Sequence, residues 1–255
     1  MADFDAPEFI RYAAVPKHSK GPGDAQPTAM QIVKDNDLEG QEALGEHLEP
    51  GKLDLLLDLN SLAFVRSFAA DFLEKSHGQL NILINNAGVM ATPEGCAFNS
   101  RVVCVSSMGH RYNEINFDNL NLEGEYEPNK AYSQSKVANI YMANQTERRY
   151  SARSLHGLSL HPGGIWDGSG RQVHVADLAE EWKKTPGGAA TTMWAAIGRV
   201  WERKGGKYLE NCQVPGPVRD GYYFLEDGYE TWAYDQAKEE RLWKVSCELV
   251  GVKCE

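Results

Sequence analysis

Short apolar runs alternate along the chain with longer segments whose apolar residues recur every three or four positions. Four runs are apolar almost throughout: KLDLLLDL at 52–59, LNILINNAG at 80–88, RVVCVSS at 101–107 and LHGLSLHPGG at 155–164. Such runs are typical of strands buried on both faces of a parallel sheet. Two shorter strands are predicted at 30–34 and 206–210.

The segments between these runs have the period of helices. Helices are predicted over 38–47, 60–73, 129–150, 185–201 and 235–250. Three of them carry end signals: Asn60 or Ser61 as a cap, Pro128 in a first turn, and Gly251 after a last turn. Strands that alternate with helices predict an α/β fold with a parallel sheet. Residues 1–29 predict an irregular arm, and residues 30–255 a single domain.

Charge and composition exclude several classes of partner. The net charge of −10 argues against nucleic acid or an anionic membrane surface as the main partner. No apolar run approaches the ~20 residues that span a bilayer. The five cysteines are odd in number and have no CxxC spacing, which favours unpaired thiols over a disulfide framework or a metal site. A cytoplasmic protein without a metal is therefore expected.

Three polar residues, two on a predicted helix and one at the end of a predicted strand, are of types that can carry out chemistry. Tyr132 and Lys136 lie four positions apart on the helix 129–150, so both side chains share one face. A nearby ammonium stabilises a phenolate, so this pair suits proton transfer near neutral pH. Ser107 ends a strand, where open α/β sheets bind ligands. Taken singly, each feature also fits a residue without chemistry, such as a surface Tyr and Lys or a serine that opens a loop.

Together these motifs resemble a known family. NNAG at 85–88, RVVCVSS at 101–107, YSQSK at 132–136 and HPGG at 161–164 follow one another as in the short-chain dehydrogenase/reductase family. The subgroup resembled contains retinol-dehydrogenase-like proteins and fungal reductases of secondary metabolism. The segments 117–140 and 205–214 extend the match, which covers roughly residues 30–255. The resemblance implies a Rossmann-like parallel sheet with flanking helices.

The resemblance also implies roles for particular residues. Tyr132 would be the catalytic acid and base, Lys136 would lower its pKa and bind the nicotinamide ribose, and Ser107 would orient the substrate carbonyl. The implied cofactor is NADP, with NAD left open, and the implied substrate is a small apolar carbonyl compound or alcohol. Besides Tyr132 and Lys136, the cofactor-binding residues would be Asp58, Asn85, Asn86, Ala87, Gly88, Pro162, Gly163 and Ile165.

The chain departs from the family pattern mainly at two places. No Gly-rich phosphate turn follows a first strand, and only twelve residues, 89–100, stand where the family has a long helix between the NNAG and VSS strands. That helix usually forms the dimer face, so a homo-oligomer stays an open expectation. Two alternatives to an NAD(P)-dependent oxidoreductase also stay open. One is a non-redox relative, such as a cyclase, an isomerase or a binding protein, and the other is an inactive truncated product.

Overall fold

Four parallel strands form the sheet in the computed structural model, which describes residues 35, 62–75, 82–85, 100–163 and 190–254. Their order across the sheet follows their order in the chain. The strands are β1 (Ile82–Asn85), β2 (Ser100–Val105), β3 (Leu155–His161) and β4 (Lys207–Glu210). In the register of the sheet, Ile84 is paired with Val103, and Val103 with Leu158. The Rossmann-like parallel sheet predicted from the sequence is therefore confirmed.

Four α-helices accompany the sheet in the described part of the chain. They are α1 (Leu62–Lys75), α2 (Pro128–Tyr150), α3 (Ala190–Ile197) and α4 (Gln236–Val250). Short 3₁₀ helices lie at Met108–Arg111, Ser151–Arg153, Arg199–Trp201 and Thr231–Tyr234. The predicted strand at 30–34, the run at 52–59 and the helix at 38–47 lie outside the described residues, as does the start of the helix at 185–201.

The helix ends follow the local signals in the sequence. At the start of α2, the Glu127 carboxylate accepts hydrogen bonds from the backbone N–H groups of Asn129 and Lys130, and Pro128 occupies the first turn. Asp235 caps α4 in the same way. Gly251 ends α4 with a φ of 67°, a left-handed conformation that glycine adopts without steric cost.

The core lies on both faces of β2 and β3 because alternate side chains of a strand point to opposite sides. Val103, Val105 and Leu160 pack on one face with Trp194 and its neighbours in α3. On the other face, Val102 and Cys104 pack with Ala143 of α2. The long helix α2 therefore lies across the middle of the sheet, where its N-terminal turns can reach the carboxyl end of β2.

A glycine allows α2 to lie close to β3. A Cβ atom built on Gly157 would stand 2.1 Å from the backbone oxygen of Ala143, a contact that only a backbone shift could relieve. We expect Gly157→Ala to lower the free energy of unfolding by about 1–3 kcal/mol, as overpacked cores do. Urea unfolding followed by circular dichroism measures the change.

The matched control is Gly216→Ala. Apart from its chain neighbours, no heavy atom of the described residues lies within 4 Å of the corresponding Cβ position, and the φ of Gly216 is not positive. We expect little change or a slight gain in stability there, since alanine reduces the entropy of the unfolded chain. Equal losses at both glycines would contradict the close approach of α2 to β3.

Two cysteines at the end of α4 form a disulfide. Cys247 and Cys254 are bonded, with their Cα atoms 5.8 Å apart, while Cys104 and Cys212 are buried and belong to no disulfide. The turn at Gly251 brings the tail back over the helix, where the N–H of Val252 donates to the carbonyl of Cys247. The expectation of unpaired thiols is wrong for this pair. The turn brings two cysteines that are seven positions apart within bonding distance, so a disulfide forms here without a CxxC spacing.

Among the described helices, none combines the length and the hydropathy that crossing a lipid bilayer requires. Within the same residues, no three His, Cys, Asp or Glu side chains are grouped as metal ligands.

Candidate active site

The sequence motifs meet at one edge of the sheet. Because the strands are parallel, the carboxyl ends of β1, β2 and β3 lie side by side. Asn85 ends β1, Ser107 follows β2, and Pro162 and Gly163 follow β3. The other predicted cofactor-binding positions, Asp58, Asn86, Ala87, Gly88 and Ile165, lie outside the described residues.

Ser107 joins β2 to the short helix Met108–Arg111. Its backbone is extended, with a φ of −163° and a ψ of 155°, and its Oγ accepts a hydrogen bond of 3.0 Å from the N–H of Gly109. The residue is buried. This bond occupies an acceptor position of the hydroxyl and leaves the Ser107 proton available for another acceptor.

Tyr132 and Lys136 lie one turn apart near the start of α2, as predicted. The Nζ atom of Lys136 is 5.4 Å from the centroid of the Tyr132 ring, a cation–π distance. Tyr132 is 44% exposed, so its phenol can meet a ligand from outside. Burial of the Lys136 ammonium lowers its pKa below the ordinary value.

Several hydrogen bonds hold this part of α2 against the end of β2. The Oγ of Ser106 donates to the backbone oxygen of Lys136 at 2.7 Å. The carbonyl of Val105 accepts from Lys136 Nζ at 3.3 Å and from Asn139 Nδ2 at 2.9 Å. The position of Lys136 along the strand end is therefore set by both its backbone and its side chain.

Gly109 brings Ser107 and Tyr132 together. A Cβ atom built on Gly109 would stand 2.7 Å from Cε1 of Tyr132 and 3.4 Å from Oγ of Ser107. The ring edge and the hydroxyl thus border the same small space, which stays open because residue 109 has no side chain. The three predicted catalytic residues are therefore neighbours, although they come from a strand end and a helix.

A buried polar cluster, consisting of His110, Arg111, His161, Tyr208 and Glu210, lies beside these three residues. Arg111 NH2 contacts both carboxylate oxygens of Glu210, at 3.2 and 3.1 Å, and both side chains are almost fully buried. Burial lowers the pKa of His110 to about 4 and that of His161 to about 3, so both imidazoles are neutral at pH 7.

Neither this cluster nor Gly109 was predicted from the sequence. The sequence contains one signal for the cluster. Charged and imidazole groups stand immediately after or within apolar strands, as in SSMGHR and KYLE. Such groups are expensive to bury unless they are paired. Their partners are distant in the chain, however, since Arg111 and Glu210 are 99 positions apart.

Comparisons with known proteins agree with these motifs. No protein-family model matches the chain. The short-chain dehydrogenase/reductase prx1 of Penicillium roqueforti is 38% identical over 327 residues, covering 95% of this chain and 95% of the relative. The oxidoreductase calI of Penicillium decumbens is 36% identical and covers 78% of this chain and 71% of the relative. Retinol dehydrogenase 14 of Mus musculus is 31% identical, with 77% and 66% covered.

A solved structure agrees as well. An uncharacterized protein from Mycobacterium paratuberculosis superposes with a TM-score of 0.51 at 28% identity, covering 77% of this chain and 75% of that one. With the relatives above, these findings establish that the chain belongs to the short-chain dehydrogenase/reductase family and is similar to its retinol dehydrogenases and fungal oxidoreductases. The match to prx1 runs over 327 residues, more than the 255 of this chain, so that relative contains segments missing here.

Proposed function

We propose that this protein is an NAD(P)-dependent oxidoreductase that interconverts a small apolar carbonyl compound, of the kind found in secondary metabolism, and its alcohol. Ser107, Tyr132 and Lys136 are the proposed catalytic residues. The observation that carries the proposal is their arrangement around Gly109, where the Tyr132 ring borders the Ser107 hydroxyl and the Lys136 ammonium at once.

Two features of the site fit a nicotinamide cofactor. An ammonium has three N–H donors, and within the described residues Lys136 makes one hydrogen bond, to Val105, which leaves donors for ribose hydroxyls. Gly163 has a φ of 99°, and no heavy atom of the described residues lies within 4 Å of its Cβ position. Among the described residues, none therefore occupies the space that a flat ring would need beside the Gly163 Cβ position.

The chemistry follows from the donors at this edge of the sheet. When bound, the reduced cofactor supplies a hydride to the carbonyl carbon of the substrate. Tyr132 donates its phenolic proton to the carbonyl oxygen, while the Ser107 hydroxyl donates a hydrogen bond to the same oxygen. The Lys136 ammonium stabilises the phenolate that remains. In the direction of alcohol oxidation, that phenolate accepts the proton of the alcohol.

Loss of the Lys136 ammonium tests cofactor binding. We expect Lys136→Ala to weaken the binding of NADPH by about 10- to 100-fold, because hydrogen bonds from a charged group contribute about 1.5–3 kcal/mol. Titration of the purified protein with NADPH and then NADH, followed by nicotinamide fluorescence, measures both affinities. NADPH comes first because NADP is the cofactor that the family subgroup implies.

Lys130→Ala is the matched control, since Lys130 lies on the same helix in an exposed pair with Glu125. We expect its affinity to equal that of the wild type. Failure of the folded wild-type protein to bind either nucleotide would overturn the proposed function.

A further inference from the structure

We propose that His110 is a positioning residue that holds Ser107 in the orientation needed for catalysis. The inference rests on the role proposed for Ser107 and adds a residue with no contact to substrate. His110 belongs to the short helix Met108–Arg111, for which Ser107 is the N-cap, and it is completely buried.

The imidazole of His110 connects Ser107 to a distant segment of the chain. Its Nδ1 atom is 2.6 Å from the backbone oxygen of Ser107, and its Nε2 atom is 3.4 Å from the backbone nitrogen of Glu230. The backbone oxygen of His110 accepts a further bond of 3.1 Å from Nε1 of Trp232. Three hydrogen bonds of His110, two from its side chain and one to its backbone, thus join residues 107, 230 and 232.

The same segment is tied to the helix that carries Tyr132. The hydroxyl of Tyr141, in α2, donates a hydrogen bond of 2.8 Å to the backbone oxygen of Trp232. Asn144, one turn further along α2, donates to the backbone oxygen of Ala233. His110 therefore completes a frame in which Ser107 and Tyr132 are held, through residues 230–233, in fixed relative positions.

Only one form of the imidazole makes both contacts. The backbone oxygen of Ser107 is an acceptor, so Nδ1 carries the proton, and Nε2 is then the acceptor for the N–H of Glu230. A protonated imidazole would set an Nε2–H donor against the N–H donor of Glu230. The surroundings support the neutral form, because burial disfavours the charged imidazole and the guanidinium of Arg111 lies nearby.

Two amide variants separate the two contacts of the ring. In His110→Asn, the amide group stands in for Nδ1 and donates to Ser107, while the contact to Glu230 is lost. In His110→Gln, the longer amide stands in for Nε2, and the contact to Ser107 is lost. A third variant, His110→Leu, removes both contacts and leaves an apolar side chain of similar size.

We expect the reduction of decanal or 4-nitrobenzaldehyde with NADPH to separate these variants. A reacting group misplaced by ~1 Å loses on the order of a hundredfold in rate, so kcat should fall about 100-fold in His110→Gln and His110→Leu. His110→Asn should retain at least about a tenth of the wild-type kcat, and the KM for NADPH should stay unchanged in all three variants. If His110 had only a structural role, kcat would instead fall in parallel with thermal stability, and His110→Asn would keep no more of the wild-type kcat than the other two variants.

A second measurement does not depend on activity. Because the N–H of Gly109 donates to the Ser107 hydroxyl, its hydrogen exchange reports on the orientation of Ser107. We expect faster exchange at Gly109 in His110→Gln and His110→Leu, with near wild-type exchange in His110→Asn. Equal exchange in the three variants, or a wild-type kcat in His110→Gln, would overturn the inference. A wild-type protein that binds neither NADPH nor NADH would overturn the proposed function alone, and the Gly109 exchange would still decide the role of His110.

Discussion

Tyr132→Phe is expected to lower kcat for NADPH-dependent carbonyl reduction by about 10²- to 10⁴-fold, the range attributed to a positioned general acid. The substitution removes only the phenolic oxygen, so the ring remains beside Gly109 and Lys136. The affinity for NADPH should fall less than in Lys136→Ala, because the ammonium of Lys136 and its proposed contacts to the ribose remain. Steady-state kinetics and the fluorescence titration of the same preparation measure the two quantities.

The control for this prediction is Tyr150→Phe, in the last turn of the same helix. At 1.5 Å per residue, position 150 lies about 27 Å along the axis from position 132. Its ring contacts Trp243 of α4, far from the Ser107 hydroxyl. We expect normal turnover from this variant. If kcat were similar in both phenylalanine variants and in the wild type, Tyr132 would have no part in the catalytic step.

Arg111→Met is expected to lower the free energy of unfolding by about 3–5 kcal/mol, because it leaves the buried carboxylate of Glu210 without its charge partner. Arg111 also donates to the backbone oxygens of Phe224 and Glu226, at 3.2 and 2.7 Å. One guanidinium thus connects the short helix after Ser107 with the end of β4 and with the loop beyond it. Urea unfolding measures the loss.

The double variant Arg111→Met with Glu210→Gln should recover part of this loss, since a neutral amide costs less to bury than a carboxylate that has lost its guanidinium partner. Arg241→Met is the matched surface control. Its ion pair with Asp118 is exposed on both sides, so a change below about 1 kcal/mol is expected. A loss at Arg111 no larger than that at Arg241 would contradict the buried pair.

Much of the fold could be predicted because local patterns decide it. The apolar runs at 101–107 and 155–164 became β2 and β3, and the caps at Asn60 or Ser61, Pro128 and Gly251 lie within a residue or two of observed helix ends. The predicted apolar stripe of α1 is likewise half-buried at Val65, Phe68 and Phe72. Such signals act between residues that are close in the chain, so no tertiary contact is needed to read them.

In the candidate site, too, the features that depend on nearby residues could be predicted and those that depend on distant residues could not. The pairing of Tyr132 with Lys136 is a matter of helical spacing and was visible in the sequence. The approach of Ser107 to Tyr132 was inferred from a family resemblance, because it requires α2 to lie on β2 and residue 109 to lack a side chain. The contacts of His110, Arg111 and Glu210 were missed, since their partners lie about a hundred positions away.

By itself, the sequence determined the α/β class, the order of the elements, the helix ends and the placement of Tyr132 and Lys136 on one face of α2, all of which depend on neighbouring residues. Only the tertiary structure decided which groups share the space around Gly109, how the buried charges are paired, and how Cys254 reaches Cys247. The physical reason is that a buried polar group is stable only beside a complementary partner, and only packing determines which distant residue becomes that partner.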